Sequence, residues 1–150
     1  VYRVQFDDGR GGNATPLVGA SQNGMSNYYP RYSPDGKWIA FTQSHTGLAV
    51  QPDAQLYMIP AEGGEPRKLI SNPGATTSWH SWSPNSRWIV FVSKARTPYT
   101  ELYLTHIDED GLDSPPVRLA RFSDPQLAAN VPEFINIQPG QLESITVTQH

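Results

Sequence analysis

From residue 37 the chain alternates. Trp38, Ala40 and Thr42 fall on one side of an extended strand, and Ile39, Phe41 and Gln43 fall on the other. Large apolar groups stand on both sides, so this strand needs cover on both faces, as when sheets stack against each other. A strand is also predicted over residues 27–32, joined to the first by Ser33-Pro34-Asp35-Gly36. Pro34 pre-sets φ for the first central turn position, Asp35 suits the next, and Gly36 can take positive φ. After a looser excursion over residues 44–54, strands follow at 55–60 and 66–70, separated by a turn around Gly63-Gly64.

The same four-strand pattern returns 50 positions later. Trp79-His80-Ser81-Trp82-Ser83-Pro84-Asn85-Ser86-Arg87-Trp88-Ile89-Val90-Phe91 matches the stretch from Tyr29 to Phe41 position by position. The predicted strands of this second unit are 78–82, 87–93, 101–106 and 117–121. Residues 1–6 and 15–18 read as a third and fourth strand without the preceding two. A fainter echo begins 102 positions beyond Tyr28, at Asn130-Val131-Pro132-Glu133-Phe134, with Pro139-Gly140 near the turn position and a second strand over 142–148. Residues 123–129 offer one helical turn, with Asp124 as cap. The organisation is therefore a half-unit at 1–20, units at 27–71 and 78–121, and a half-unit at 130–148. Four-stranded antiparallel units of about 50 residues, apolar on both faces, describe blades of an all-β propeller. About three blade equivalents are present, and three cannot close a ring that needs at least four.

Composition narrows the function more than the fold. With 12 Gly and 14 Pro the chain is turn-rich, which argues against long helices. A net charge of −3 gives no reason to expect nucleic acid or an anionic membrane as partner. No apolar run reaches the length of a membrane span, and no signal peptide is visible. Absence of cysteine removes disulfides and thiolate metal sites and fits an oxidising compartment. Opening on Val1 inside a strand, without an initiator Met, the chain reads as a processed or partial product.

At residues 32–41, Tyr-Ser-Pro-Asp-Gly-Lys-Trp-Ile-Ala-Phe, followed by Leu-Tyr-Met-Ile-Pro-Ala-Glu-Gly-Gly at 56–64, the sequence resembles the TolB-type WD-like β-propeller repeat. The resemblance covers residues 28–121. Asn85 and Ser86 depart from Asp-Gly in the second copy, and Ile135-Asn136-Ile137 replaces the Ser-Pro pair in the third. The resemblance implies a six-bladed ring, a bacterial periplasmic or secreted location, and a protein or peptide partner. The same repeat forms the non-catalytic propeller of prolyl-oligopeptidase-like and tricorn-like peptidases, and related propellers include lyases acting on oligosaccharides. Such a fold assigns no chemistry by itself. The remaining blades would come from further sequence of the same protein or from a second copy of the chain.

The residues carry no catalytic motif. Gly19-Ala20-Ser21-Gln22-Asn23-Gly24 misses the Gly-x-Ser-x-Gly spacing by one residue. His45, His80, His106 and His150 form no ligand-spaced pair, and the Asp108-Glu109-Asp110-Gly111-Leu112-Asp113 stretch fails the calcium-loop pattern at its fifth and sixth positions. No cofactor or metal is expected. Most aromatics recur at equivalent positions, so packing explains them first; Tyr28 and Tyr29 fit that account least. Arg31, Ser81 and Glu133 share one repeat position yet differ in charge. His80, between Trp79 and Trp82, reads first as a buried histidine bonded to a neighbouring blade, and otherwise as a binding residue at a channel mouth. The candidate binding residues are Tyr28, Tyr29, Arg31, Trp79, His80 and Glu133.

Overall fold

A computed structural model describes residues 1–47, 50–124, 126–138, 140–144 and 146. Two four-stranded antiparallel sheets dominate it. The first comprises β3 (Ser26–Tyr32), β4 (Trp38–Ser44), β5 (Gln55–Pro60) and β6 (Arg67–Lys68), and the second β7 (Thr77–Trp82), β8 (Trp88–Ser93), β9 (Glu101–His106) and β10 (Val117–Arg118). In each, consecutive strands are neighbours. Ahead of them, β1 (Tyr2–Arg3) pairs with β2 (Thr15–Pro16). The Tyr2–Pro16 pair matches the Tyr57–Lys68 and Tyr103–Arg118 pairs in register, so β1 and β2 occupy third- and fourth-strand positions. Among the described residues there is no α-helix.

The turn that joins first to second strand is built alike in both copies. Ser33 Oγ donates to Asp35 Oδ1 at 2.6 Å, and the Lys37 N–H donates to the same oxygen at 3.1 Å. Ser83 Oγ and the Arg87 N–H donate to Asn85 Oδ1 at the same two distances. An amide oxygen therefore replaces a carboxylate oxygen without loss, because the turn needs only an acceptor there. Ser86 takes the glycine position at φ 60°, and its Oγ accepts the Asp35 N–H of the first sheet at 2.9 Å. The departure from Asp-Gly creates a bond between sheets.

β4 is covered on both faces. Ala40 joins Leu56, Met58, Leu69, Trp82, Ile89 and Phe91 in a core between the two sheets, with Trp38 packed against it. Ile39 and Phe41, pointing the other way, pack with Leu17, Ala20 and Ile59. The β6 side of the first sheet is tied to the hairpin that follows β9. Arg67 Nη1 meets Asp113 Oδ1 at 2.7 Å, Asp113 Oδ2 accepts the Ser71 N–H at 2.7 Å, and Arg67 Nη2 donates to the Gly111 carbonyl. The Asp113 side chain has no exposed surface.

Gly111 lies at φ +77°, and a Cβ there would stand 2.5 Å from Cζ2 of Trp38. Gly111→Ala is therefore expected to cost about 2 kcal/mol, the sum of left-handed strain and a displaced indole. Urea denaturation followed by tryptophan fluorescence measures it, and an unchanged midpoint contradicts the packing described.

Several predicted elements are shorter or absent. The fourth strand of the second sheet stops at Arg118 and gives way to a 3-10 turn at Ala120–Phe122, and the first predicted strand ends at Arg3 before a 3-10 turn at Asp7–Gly9. Each fourth strand (β2, β6 and β10) is only two residues long, which limits its open row of backbone groups. The helical turn expected over 123–129 is not formed. Asp124 Oδ1 instead accepts the Gln126 N–H at 2.7 Å, and Asp124 bridges to Leu127. Residues 130–134 pair in no ladder. A strand needs a hydrogen-bonded neighbour, and residues 142–144 and 146 of the one expected over 142–148 are not in a strand, while 145, 147 and 148 lie outside the described residues, as does His150. Even so, the Ala129 N–H donates to the Thr100 carbonyl at 2.9 Å, as the Thr77 N–H does to Ala54 at 2.8 Å at the junction of the two sheets.

Candidate functional site at the first strands

Each first strand carries a bulge. β3 slips register between Tyr28 and Arg31, so that Tyr29 and Pro30 together oppose Phe41 of β4. β7 slips between Ser78 and Ser81, where Trp79 and His80 oppose Phe91. Tyr29 has φ 53° and Trp79 φ 42°; Val131, at the same position of the unpaired echo, has φ 48°. Pro30 is tolerated because its missing N–H falls in the bulge, where no ladder bond is due. Bulges re-aim side chains. A left-handed β-branched residue such as Val131 is a strained feature that its surroundings must hold in place.

The consequence is a convergence of three repeat units. Arg31 Nη2 lies 2.6 Å from Glu133 Oε1, and Ser81 Oγ donates to Glu133 Oε2 at 2.7 Å. The Phe134 N–H reaches Ser81 Oγ at 3.4 Å, and Trp82 Nε1 donates to the Arg31 carbonyl at 3.1 Å. The three residues at the variable repeat position thus form one network across 102 residues of sequence. A cavity of about 300 Å³ lies on one side of it, lined by Tyr29, Arg31, Trp79, His80, Val131, Pro132 and Glu133. A second, of about 340 Å³, lies on the other, lined by Arg31, Tyr32, Pro34, Ser81, Trp82, Pro84, Glu133, Phe134 and Asn136.

Five of the six expected binding residues therefore line one cavity. Tyr28 does not. It is buried, its ring 5.3 Å from that of Tyr29 in an edge-on contact, and burial pushes its phenol above the usual range. Val131 and Pro132 also line the cavity and are not among the expected residues. The signal that could have found them is their shared repeat position with Tyr29 and Pro30.

His80 is 3% exposed and its Nε2 donates to the Ala40 carbonyl of β4 at 3.0 Å. A carbonyl can only accept, so Nε2 carries the proton and Nδ1 presents a lone pair, which has no partner. Burial lowers the His80 pKa to about 4, with the Arg31 charge adding to the effect and the Ala40 carbonyl and Glu133 opposing it. At neutral pH this side chain is uncharged.

His45 and His106 stand apart from this cavity. His45 Nδ1 contacts Asp53 Oδ2 at 2.6 Å in an exposed loop, and the His106 ring meets Trp88 edge-on at 4.9 Å. Among the described residues, no group of three or more His, Cys, Asp or Glu is placed to hold a metal ion. Ser21, the serine of the near-miss hydrolase motif, donates its hydroxyl hydrogen to the Val1 carbonyl. Asp108 Oδ1 accepts the Asp110 and Leu112 N–H groups at 3.0 and 2.7 Å, closing a hairpin turn.

Known proteins share this architecture. A structure described as TolB from Agrobacterium tumefaciens superposes with a TM-score of 0.52 at 23% identity, covering 79% of this chain and 39% of that one. A puromycin hydrolase crystal structure superposes with a TM-score of 0.53 at 22% identity, covering 79% of this chain and 20% of that one. The fold is a TolB-like propeller fold. No family model matches the chain. In sequence it is 43% identical over 61 residues to the Bacillus subtilis protein YuxL, named as an uncharacterized peptidase, and 35% identical over 65 residues to the uncharacterized Escherichia coli protein YidR. These stretches cover 41% and 43% of this chain but only 8% and 15% of those relatives. No helix among the described residues is long and apolar enough to cross a membrane.

Proposed function

We propose that this chain is a non-catalytic propeller module that binds a protein or peptide partner in the bacterial cell envelope. The observation that carries this reading is the cavity between Tyr29, Trp79 and Pro132. There, residues that differ between repeats converge, while residues that recur are spent on packing. Recurrence serves the scaffold; variation at a converging position is where a partner can be distinguished. Aromatic walls beside one arginine and one carboxylate have the composition of a protein-recognition hot spot.

Selection of a random peptide library on the immobilised chain tests the reading. Enriched sequences are expected to lose binding to Trp79→Ala and Tyr29→Ala variants but not to a variant of exposed Phe6. If nothing enriches, or if enrichment is indifferent to those aromatics, the reading fails.

A second reading has its own support. The identity with the Bacillus subtilis YuxL and the structural likeness to a puromycin hydrolase favour an accessory propeller of a prolyl-oligopeptidase- or tricorn-like peptidase, with the catalytic residues elsewhere in the polypeptide. Labelling of the full-length gene product by a serine-directed fluorophosphonate separates the two: labelling selects the peptidase reading, and its absence the stand-alone binding module. In either case the remaining blades of a six-bladed ring come from further sequence or from a second copy of the chain.

A further inference from the structure

Resting on the peptide-binding reading, we infer that the cavity beside Tyr29 and Trp79 takes the free carboxy-terminus of a peptide, with Arg31 as the carboxylate anchor. Both oxygens of Glu133 already accept a hydrogen bond, one from Arg31 and one from Ser81. Arg31 spends only one of its N–H donors on that contact, and its side chain is 52% exposed. Arg31 therefore leaves about four N–H donors unused where Glu133 leaves about two acceptor sites, and the spare donors match a planar carboxylate in the two-pronged manner of a guanidinium.

His80 adds a second requirement. Its ring lines the cavity, and its Nδ1 is a buried acceptor with no donor. Leaving such a group unpaired is unfavourable, so a ligand that brings an N–H is preferred to one that does not. Tyr29, Trp79 and Pro132 supply apolar walls. A carboxylate, an adjacent N–H and an apolar side chain together describe the last residue of a peptide. A volume of about 300 Å³ is at the small end of binding pockets and suits one residue rather than a folded element.

Two fluorescein-labelled tripeptides of one sequence ending in phenylalanine, one a free acid and one a carboxamide, are titrated with the full chain by fluorescence anisotropy. The acid is expected to bind about tenfold or more tighter, the scale of a charge-assisted two-pronged contact. Arg31→Gln is expected to abolish that preference while leaving amide binding in place. Glu133→Gln frees the guanidinium from its internal partner and is expected to strengthen acid binding several-fold, an effect that a purely structural role for the pair does not produce. Unchanged circular dichroism and retained amide binding show that both variants are folded.

Equal affinity for acid and amide overturns the inference and leaves peptide binding standing. Failure of both peptides overturns the two together. An acid preference that survives in Arg31→Gln removes Arg31 as the anchor. N-acetylphenylalanine binding as tightly as the tripeptide acid assigns the cavity to small carboxylates and overturns the peptide terminus.

Discussion

Replacement of Asp113 by alanine is expected to lower the free energy of unfolding by about 2 kcal/mol, below the scale for a wholly buried ion pair because the Arg67 partner is 36% exposed. The expectation follows from what is left behind. Asp113 is the shared acceptor for Arg67 of β6 and for the Ser71 N–H, and its side chain is wholly buried. Without it, the Ser71 N–H loses its buried partner, the half-exposed Arg67 keeps only the Gly111 carbonyl, and one link between the two sheets is lost. Asp113→Asn retains an acceptor oxygen and is expected to fall between wild type and alanine. Arg67→Met combined with Asp113→Ala removes the stranded charge and is expected to recover part of the loss. Urea denaturation measures all three, and an alanine variant as stable as wild type rules out the clamp as a stabilising contact.

Acidification is expected to weaken the fold through His80 before it does so through the carboxylates. In the unfolded chain a histidine takes up its proton near pH 6.5, whereas in the folded chain His80 does so only near pH 4. Between those values the unfolded state binds more protons, so the stability contributed by the neutral, buried ring is complete above about pH 6.5. It is then lost progressively as pH falls toward 4. The full difference is about 3 kcal/mol. Asp35, whose pKa is lowered by the Ser33 hydroxyl and the Lys37 N–H, releases its contribution at still lower pH. His80→Gln preserves an N–H for the Ala40 carbonyl and removes the titration. Its unfolding free energy is expected to be flatter than that of wild type between pH 6.5 and 4. Parallel curves for the two proteins over that interval contradict the assignment.

Legibility in the sequence followed range. The Ser33-Pro34-Asp35-Gly36 turn, its Ser83-Pro84-Asn85-Ser86 counterpart and the two-faced strands β4 and β8 were readable because each depends on neighbours a few residues away. The strand expected over 130–134 and the helical turn after Ser123 were over-read. Their local patterns were adequate, but a ladder requires a partner that pattern alone does not supply. Trp38 and Trp88 make the same point in the core. They share a repeat position, yet Trp38 is packed beneath Gly111 of the next blade, while Trp88 is 38% exposed and meets only His106 edge-on.

The candidate site shows the division most clearly. The sequence flagged Arg31, Ser81 and Glu133 as one position with three chemistries, and flagged Tyr29, Trp79 and His80 as aromatics near it. It could not say that Arg31 touches Glu133, because that contact depends on bulges in two strands and on the angle between two sheets. Tyr28 does not line the cavity, for the same reason. The bulge turns Tyr29 toward the cavity and leaves its neighbour in the interior, a choice between faces that alternation alone does not make at an irregular step.

By itself the sequence determined that blades exist, how many residues build each, and how their strands turn, since those features rest on short-range dihedral preferences and periodic burial. The tertiary structure alone decided which side chains meet between blades, which histidine is buried neutral, and where a cavity opens. Those outcomes depend on packing distances between segments far apart in the chain, and no local preference encodes them.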